Sequence, residues 1–192
     1  MKPWFIFLLL ALVATAGHAQ AGPAGGALTD DEIVAKLIAS RPKGKRTLVT
    51  PKLFEALEEK SWEQNVQPAA SGMTAWRDVY GKDGSEEFAL RQFFTPLKTW
   101  QAKTPKQMLD DARKQMTDSA QAVLVSERDY TLDDCPCRSF VVKQPATGKM
   151  VRLDYLLIYP DLFIVSCSGT EAALKSPKVT AFFAGLKTEP VK

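Results

Sequence analysis

Along this chain the hydrophobic positions change period several times, and each change marks an element. The densest alternation runs from Cys135 to Cys167, where SFVVK, KMVRLDYLLIYP and DLFIVSC read as three short strands joined by two turns. Upstream, Met73 to Tyr80 and Glu86 to Thr95 are also strand-like. In the second of these Phe88, Leu90 and the Phe93–Phe94 pair alternate with Glu87, Arg91 and Gln92. Asp83–Gly84 between the two runs favours a tight turn, so they form a hairpin. A further strand, Ala122 to Glu127, leads through Tyr-Thr-Leu-Asp-Asp into the central meander.

Helical spacing appears in four places. Thr29-Asp-Asp-Glu32 is a capping box opening a helix whose apolar face is Ile33, Leu37 and Ile38. The pattern stops at Arg41-Pro-Lys-Gly-Lys-Arg46, a basic run that reads as a solvated connector. A second helix is predicted from Thr50-Pro51 to Trp62, and the polar segment Gln64 to Gly72 reads as a loop. Residues 104–117 combine an N-cap threonine, a proline at N1 and a glutamine at N3, with Met108, Leu109, Ala112 and Met116 on one side. Ser176-Pro177 opens the last helix, with Val179, Phe182, Phe183 and Leu186 at i, i+3, i+4 and i+7. Lys187 to Lys192 reads as a frayed tail.

Strands grouped after an early helix predict an α+β fold, a largely antiparallel sheet flanked by helices in an α/β/α sandwich. The N-terminus, MKPWFIFLLLALVATAGHAQA, has one lysine, an apolar run and small residues at Gly17 and Ala19. That is the layout of a secretory signal peptide cleaved after Ala19. The apolar run is shorter than the roughly 20 residues of a membrane span, so no stable membrane insertion is expected after cleavage. The predicted organisation is therefore a signal peptide at 1–19 and a flexible mature N-terminus at 20–28. A helical segment at 29–72 packs on an α+β domain at 73–187, followed by a tail at 188–192. The expected location is periplasmic or secreted.

Charge and composition remove whole classes of function. The formal charge of +3 includes Lys2, and acidic and basic residues are interspersed, so nucleic acid is not an expected partner. The single histidine, His18, lies in the predicted signal peptide. The remainder therefore lacks Ser-His-Asp and Cys-His catalysis, and any metal site that depends on imidazole.

From about Thr74 to Lys187 the chain resembles the PsbP-like, Mog-type α/β/α sandwich domains. The resemblance is carried by the helix TPKQMLDDARKQM, the strands SFVVK, KMVRLDYLLIYP and DLFIVSCSG, and the closing helix SPKVTAFFAGLK. It implies an accessory or binding protein without an active site, and it supplies no catalytic residue. Cys-Pro-Cys is not part of that pattern.

The cysteines carry the one distinctive chemistry. Cys135, Cys137 and Cys167 are disulfide candidates in an oxidising compartment, with one left over. Joining Cys135 or Cys137 to Cys167 closes about 30 residues, worth roughly 3–4 kcal/mol in the chain-entropy model. A Cys135–Cys137 bridge would close a strained small ring. The sharper alternative is a soft-metal or thiol-redox protein using the same three residues. The paired carboxylates Asp110–Asp111 and Asp133–Asp134 read as solvated rather than catalytic, because adjacent helical residues point apart. Tyr155 shares a strand face with Leu153 and Leu157, and Tyr159 follows at the same spacing; both read as core first. The two methionines of the 104–117 helix likewise read as packing. The sequence thus predicts a non-enzymatic accessory protein, without cofactor or resident metal, that binds a protein or cell-envelope component. An immunity or inhibitor protein is one version of that class.

Overall fold

The computed structural model describes residues 29–39, 46–54, 63–69, 72–94, 97–118 and 122–191. The predicted signal peptide, its Ala19 cleavage point and the flexible N-terminus lie outside them. Their elements, in chain order, are α1 (Asp30–Ala39), β1 (Arg46–Val49), β2 (Glu63–Ala69), β3 (Gly72–Asp83), β4 (Glu86–Phe94), α2 (Leu97–Ala102) and α3 (Pro105–Asp118). Then come β5 (Val123–Leu132), β6 (Cys135–Lys143), β7 (Met150–Ile158), β8 (Asp161–Gly169), α4 (Glu171–Leu174), α5 (Pro177–Ala184) and β9 (Lys187–Pro190). Seven strands form one sheet in the order β2-β3-β4-β8-β7-β6-β5, and β1 pairs with β9 in a second sheet. Every pairing is antiparallel. The architecture is α+β.

Local chemistry sets the element ends. The capping boxes form reciprocally: the Thr29 amide donates to Glu32 at 2.8 Å, and the Glu32 amide returns to Thr29 Oγ1 at 3.3 Å. Thr104 and Gln107 do the same at 2.8 and 3.2 Å. Ser176 Oγ accepts from the Val179 amide with Pro177 at the first turn of α5. In the β3–β4 hairpin Asp83 pairs with Glu86, leaving Gly84 at φ +65 in the connection. At the β5–β6 hairpin Asp133 and Asp134 take φ of 45 and 65. Two successive positive φ values are what a two-residue type I′ turn requires, and aspartate tolerates them better than most residues.

Alternation along the strands divides the apolar residues between the two faces. One face carries Val79, Phe88, Leu90, Leu156, Phe163 and Val165, packed against Val179, Phe182 and Phe183 of α5 and Leu48 of β1. The other carries Phe93, Phe140, Leu153, Tyr155 and Ile164, packed against Leu109, Ala112 and Met116 of α3. Phe54, Phe88, Phe94 and Phe140 are fully buried or nearly so, each contributing about 1.5–3 kcal/mol by leaving water. A buried ion pair, Arg91 to Asp78 at 2.5 and 2.7 Å, bridges β4 and β3 on the second face. The Arg91 guanidinium also lies over the Trp76 and Phe93 rings at 5.4 and 5.5 Å.

Several expectations are corrected. The segment from Gln64, read as a loop, forms most of β2 and pairs with β3 from Glu63↔Asp78 to Ala69↔Gly72. A polar strand survives there because it lies at the sheet edge, where backbone pairing suffices and Pro68 is tolerated. The boundary placed at residue 72 consequently falls within a hairpin. The supposed tail is a strand: β9 pairs with β1, and Thr188 is buried. Arg46, read as the end of a solvated connector, donates to Thr188 Oγ1 at 2.5 Å and to its carbonyl at 2.9 Å. Strand β5 runs five residues past its expected end at Glu127. Of the second predicted helix, Lys52 to Phe54 is helical, and residues 55–62 lie outside the described residues. Helix α2 had no periodic signal.

Candidate functional site, a basic groove on one sheet face

The meander that holds the cysteines does not bring Cys167 to the other two. Cys137 sits opposite Leu156, which sits opposite Phe163, whereas Cys167 lies four residues along β8. Two strand spacings and four residues place Cys137 and Cys167 about 16 Å apart, and Cys135 lies farther still. A disulfide needs Cα atoms within about 7 Å, and all three cysteines are free. The long-range clamp expected between the meander's entrance and exit is therefore not made in this structure. Burial, first of all, pushes the Cys137 and Cys167 thiols up to about 12, and raises that of Cys135. Thiols so held are poor nucleophiles and poor metal ligands. Among the described residues no group of three His, Cys, Asp or Glu side chains could hold a metal ion.

The other singled-out residues also separate. Asp110 accepts from Lys106 at 2.7 Å and from Arg138 at 2.8 Å, while Asp111 pairs with Lys103 at 2.5 Å. Arg138 also holds Asp129, so this cluster ties α3 to β5 and β6. Asp133 accepts from the Thr188 amide and hydroxyl, at 2.7 and 3.1 Å. Tyr155 is buried against Phe140. Tyr159 stands 47 % exposed in the β7–β8 connection, its ring edge-on to Trp100.

What the fold does assemble is a polar patch on β5, β6 and β7, on the sheet face that also carries α5. Alternation places Ser126, Arg128 and Tyr130 of β5 on this face. Ser139, Val141 and Lys143 of β6 join them, with Met150, Arg152 and Asp154 of β7. Asp154 is 1 % exposed, yet its carboxylate is fully engaged. It accepts from Ser139 Oγ at 2.6 Å and Tyr130 Oη at 2.7 Å, and from Arg152 Nε and Nη2 at 2.9 and 2.8 Å. Four charge-assisted bonds offset its desolvation. Burial, followed by the Asp154 charge, raises the Tyr130 hydroxyl well above its ordinary range, so it remains a donor.

Arg152 is the hinge between this network and the solvent. Its guanidinium lies 3.7 Å from the Phe183 ring centroid while it grips Asp154. Of its five N–H donors, two serve Asp154, and the other three have no partner among the described residues. Arg152 lines a cleft of about 450 Å³ with Arg128, Ser139, Val141, Met150, Leu174 and Lys175. A second cleft of about 440 Å³ continues past Val125, Met150 and Glu171, which both share, to Lys143 and Lys149. Along β5 and β6 the resulting groove has Arg128 at one end and Lys143 at the other with Val125 and Val141 between them, and Arg152 of β7 stands opposite Val141. The groove offers donors and a positive field, with no unsatisfied base. The sequence carried one legible hint, Arg152 and Asp154 two apart in an otherwise apolar strand; their partners Tyr130 and Ser139 come from two other strands.

No family model matches the chain, and no curated protein matches it. Among solved structures it is similar to protein PA94 of Pseudomonas aeruginosa, a protein of unknown function. The two share 16 % identity over 73 % of this chain and 94 % of that one, with a TM-score of 0.33. The chain's own fold and site define the class as an antiparallel α+β protein with a basic groove.

Proposed function

We propose that this chain is a non-enzymatic accessory protein of the periplasm or extracellular space, a PsbP-like three-layer α/β/α domain that holds a protein or envelope component in the basic groove. One observation carries the reading: the groove's buried acid, Asp154, spends its oxygens on four donors inside the fold. A catalytic carboxylate needs a lone pair free for the substrate; this one instead fixes Arg152 for recognition. The signal-peptide layout of the first 19 residues supports the location. The distance of Cys167 from the other two cysteines and the burial of Cys137 and Cys167 weigh against the cysteine-based metal or redox alternative.

The test is a pull-down from periplasmic extract with the purified protein and an Arg128→Glu/Lys175→Glu variant. Retention of a component by the parent and its loss by the variant is the expected outcome. Hydrolytic or thiol-exchange turnover by the purified protein would overturn the proposal.

A further inference from the structure

We infer that the occupant of the groove is an extended acidic segment of a partner protein, of the pattern acidic-x-apolar-x-acidic, lying along the edge strand β5. The inference rests on the binding role proposed above and adds the chemistry of the ligand.

Three observations carry it. The first is charge. Arg128 stands at one end and Lys143 and Lys149 at the other, with Arg152 opposite Val141 between them and Lys175 also lining the cleft, against Glu127 and Glu171. Among the described residues Arg128 and Lys143 make no ion pair. Lys175 and Lys149 hold Glu171 at 2.6 Å and Glu87 at 3.2 Å in exposed pairs, which are weak and readily exchanged.

The second is spacing. Arg128 sits opposite Ser139, and Lys143 is four residues farther along β6. Four strand residues cover about 13 Å, and in an extended peptide positions i, i+2 and i+4 face the same side. Acidic residues at i and i+4 therefore reach Arg128 and Lys143, and residue i+2 meets Val125 and Val141 between them, with Met150 beside Lys143.

The third is the open edge. Among the described residues β5 is the last strand of the sheet, with a register shift between Leu124 and Ser126. Val123 and Val125 there are 56 and 55 % exposed, the two most exposed large hydrophobic residues among those described. An unpaired strand edge beside apolar side chains is what an added peptide strand uses. A sulfated glycan or lipid headgroup would match the cations but leave the apolar middle and the backbone edge unmatched.

The experiment titrates acetyl-Glu-Thr-Leu-Thr-Glu-amide into the purified full chain labelled at Val, Leu and Met methyls, read by NMR. Shifts at Val125, Val141, Met150 and Leu174 are expected, with none from the peptide carrying lysine in place of both glutamates. An Arg128→Glu/Lys143→Glu variant, both changes on exposed side chains, should weaken binding by at least about tenfold, while its thermal midpoint stays near the parent's. Unmoved groove methyls, or equal affinity in the variant, would sink the inference. If only a sulfated glycan or phosphatidylglycerol vesicles move those signals, the peptide is overturned while the binding role stands. Catalytic turnover would remove the binding role itself.

Discussion

Cys137 and Cys167 lie on one face of the same sheet, and each is silenced by the same cause. Packing among Phe88, Leu156 and Phe163 strips water from both sulfurs, so neither readily loses its proton. Cys135, at the start of β6, is the more accessible of the three. An aromatic disulfide reagent in native buffer should therefore modify Cys135 alone, and all three thiols after unfolding in guanidinium. A count of one thiol in the unfolded, unreduced protein would contradict this arrangement. The same residue-scale logic explains Asp154. A buried carboxylate can be a reactive base or a fixed anchor, and four donors make it an anchor.

At the scale of elements, the first described strand and the last hold each other. Strand β9 pairs with β1, and Thr188 is where the β5–β6 turn joins them. Its hydroxyl accepts from Arg46 and donates to Asp133, and its amide also donates to Asp133. Thr188→Val keeps the shape of the buried side chain but leaves Arg46 Nε and an Asp133 oxygen short of a partner. The expected loss is about 1–2 kcal/mol, read from the urea unfolding midpoint; an unchanged midpoint would mean the strand pair contributes nothing to the cooperative unit. The Asp133–Asp134 turn shows the same economy, since the positive-φ aspartate that reverses the chain also receives Thr188.

Across the whole molecule, ionisable groups shape stability from both ends of the pH scale. The Lys106 ammonium, and then Arg138, hold Asp110 below the usual carboxylate range. Arg138 does so for Asp129, the Thr188 amide for Asp133 and Lys178 for Glu86. Depressed carboxylates stabilise the fold above their ordinary pKa, and that contribution disappears as pH falls through their folded values. The raised thiols act in the opposite sense. Their contribution is complete below the ordinary thiol value of 9.0 and fades as pH climbs towards about 12. Urea midpoints measured from pH 3 to 11 should thus show a plateau between about pH 5 and 8.5 with decline on both sides. Replacing Cys167 by valine should flatten the alkaline limb; stability that rose above pH 9 would contradict the buried-thiol arrangement.

Much of the fold was legible because it is written in local terms. Period-2 alternation gave β4 and the β6–β7–β8 meander, and helical spacing with capping residues gave α1, α3 and α5; these signals act between residues at most four apart. Strands β2 and β9 were not legible, because their polar side chains carry no alternation and only a neighbour's backbone makes them strands. The cysteines look like a clamp in sequence, since about 30 residues is a favourable loop to close, yet register along the sheet holds them apart. The groove was the least legible feature. Tyr130, Ser139, Arg152 and Asp154 come from three strands and meet only through antiparallel pairing. By itself, then, the sequence determined which segments alternate, where helices begin and that imidazole chemistry is missing outside the first 19 residues. Tertiary structure alone decided which face each side chain shares, because that depends on strand order and register, which are set by contacts between distant residues.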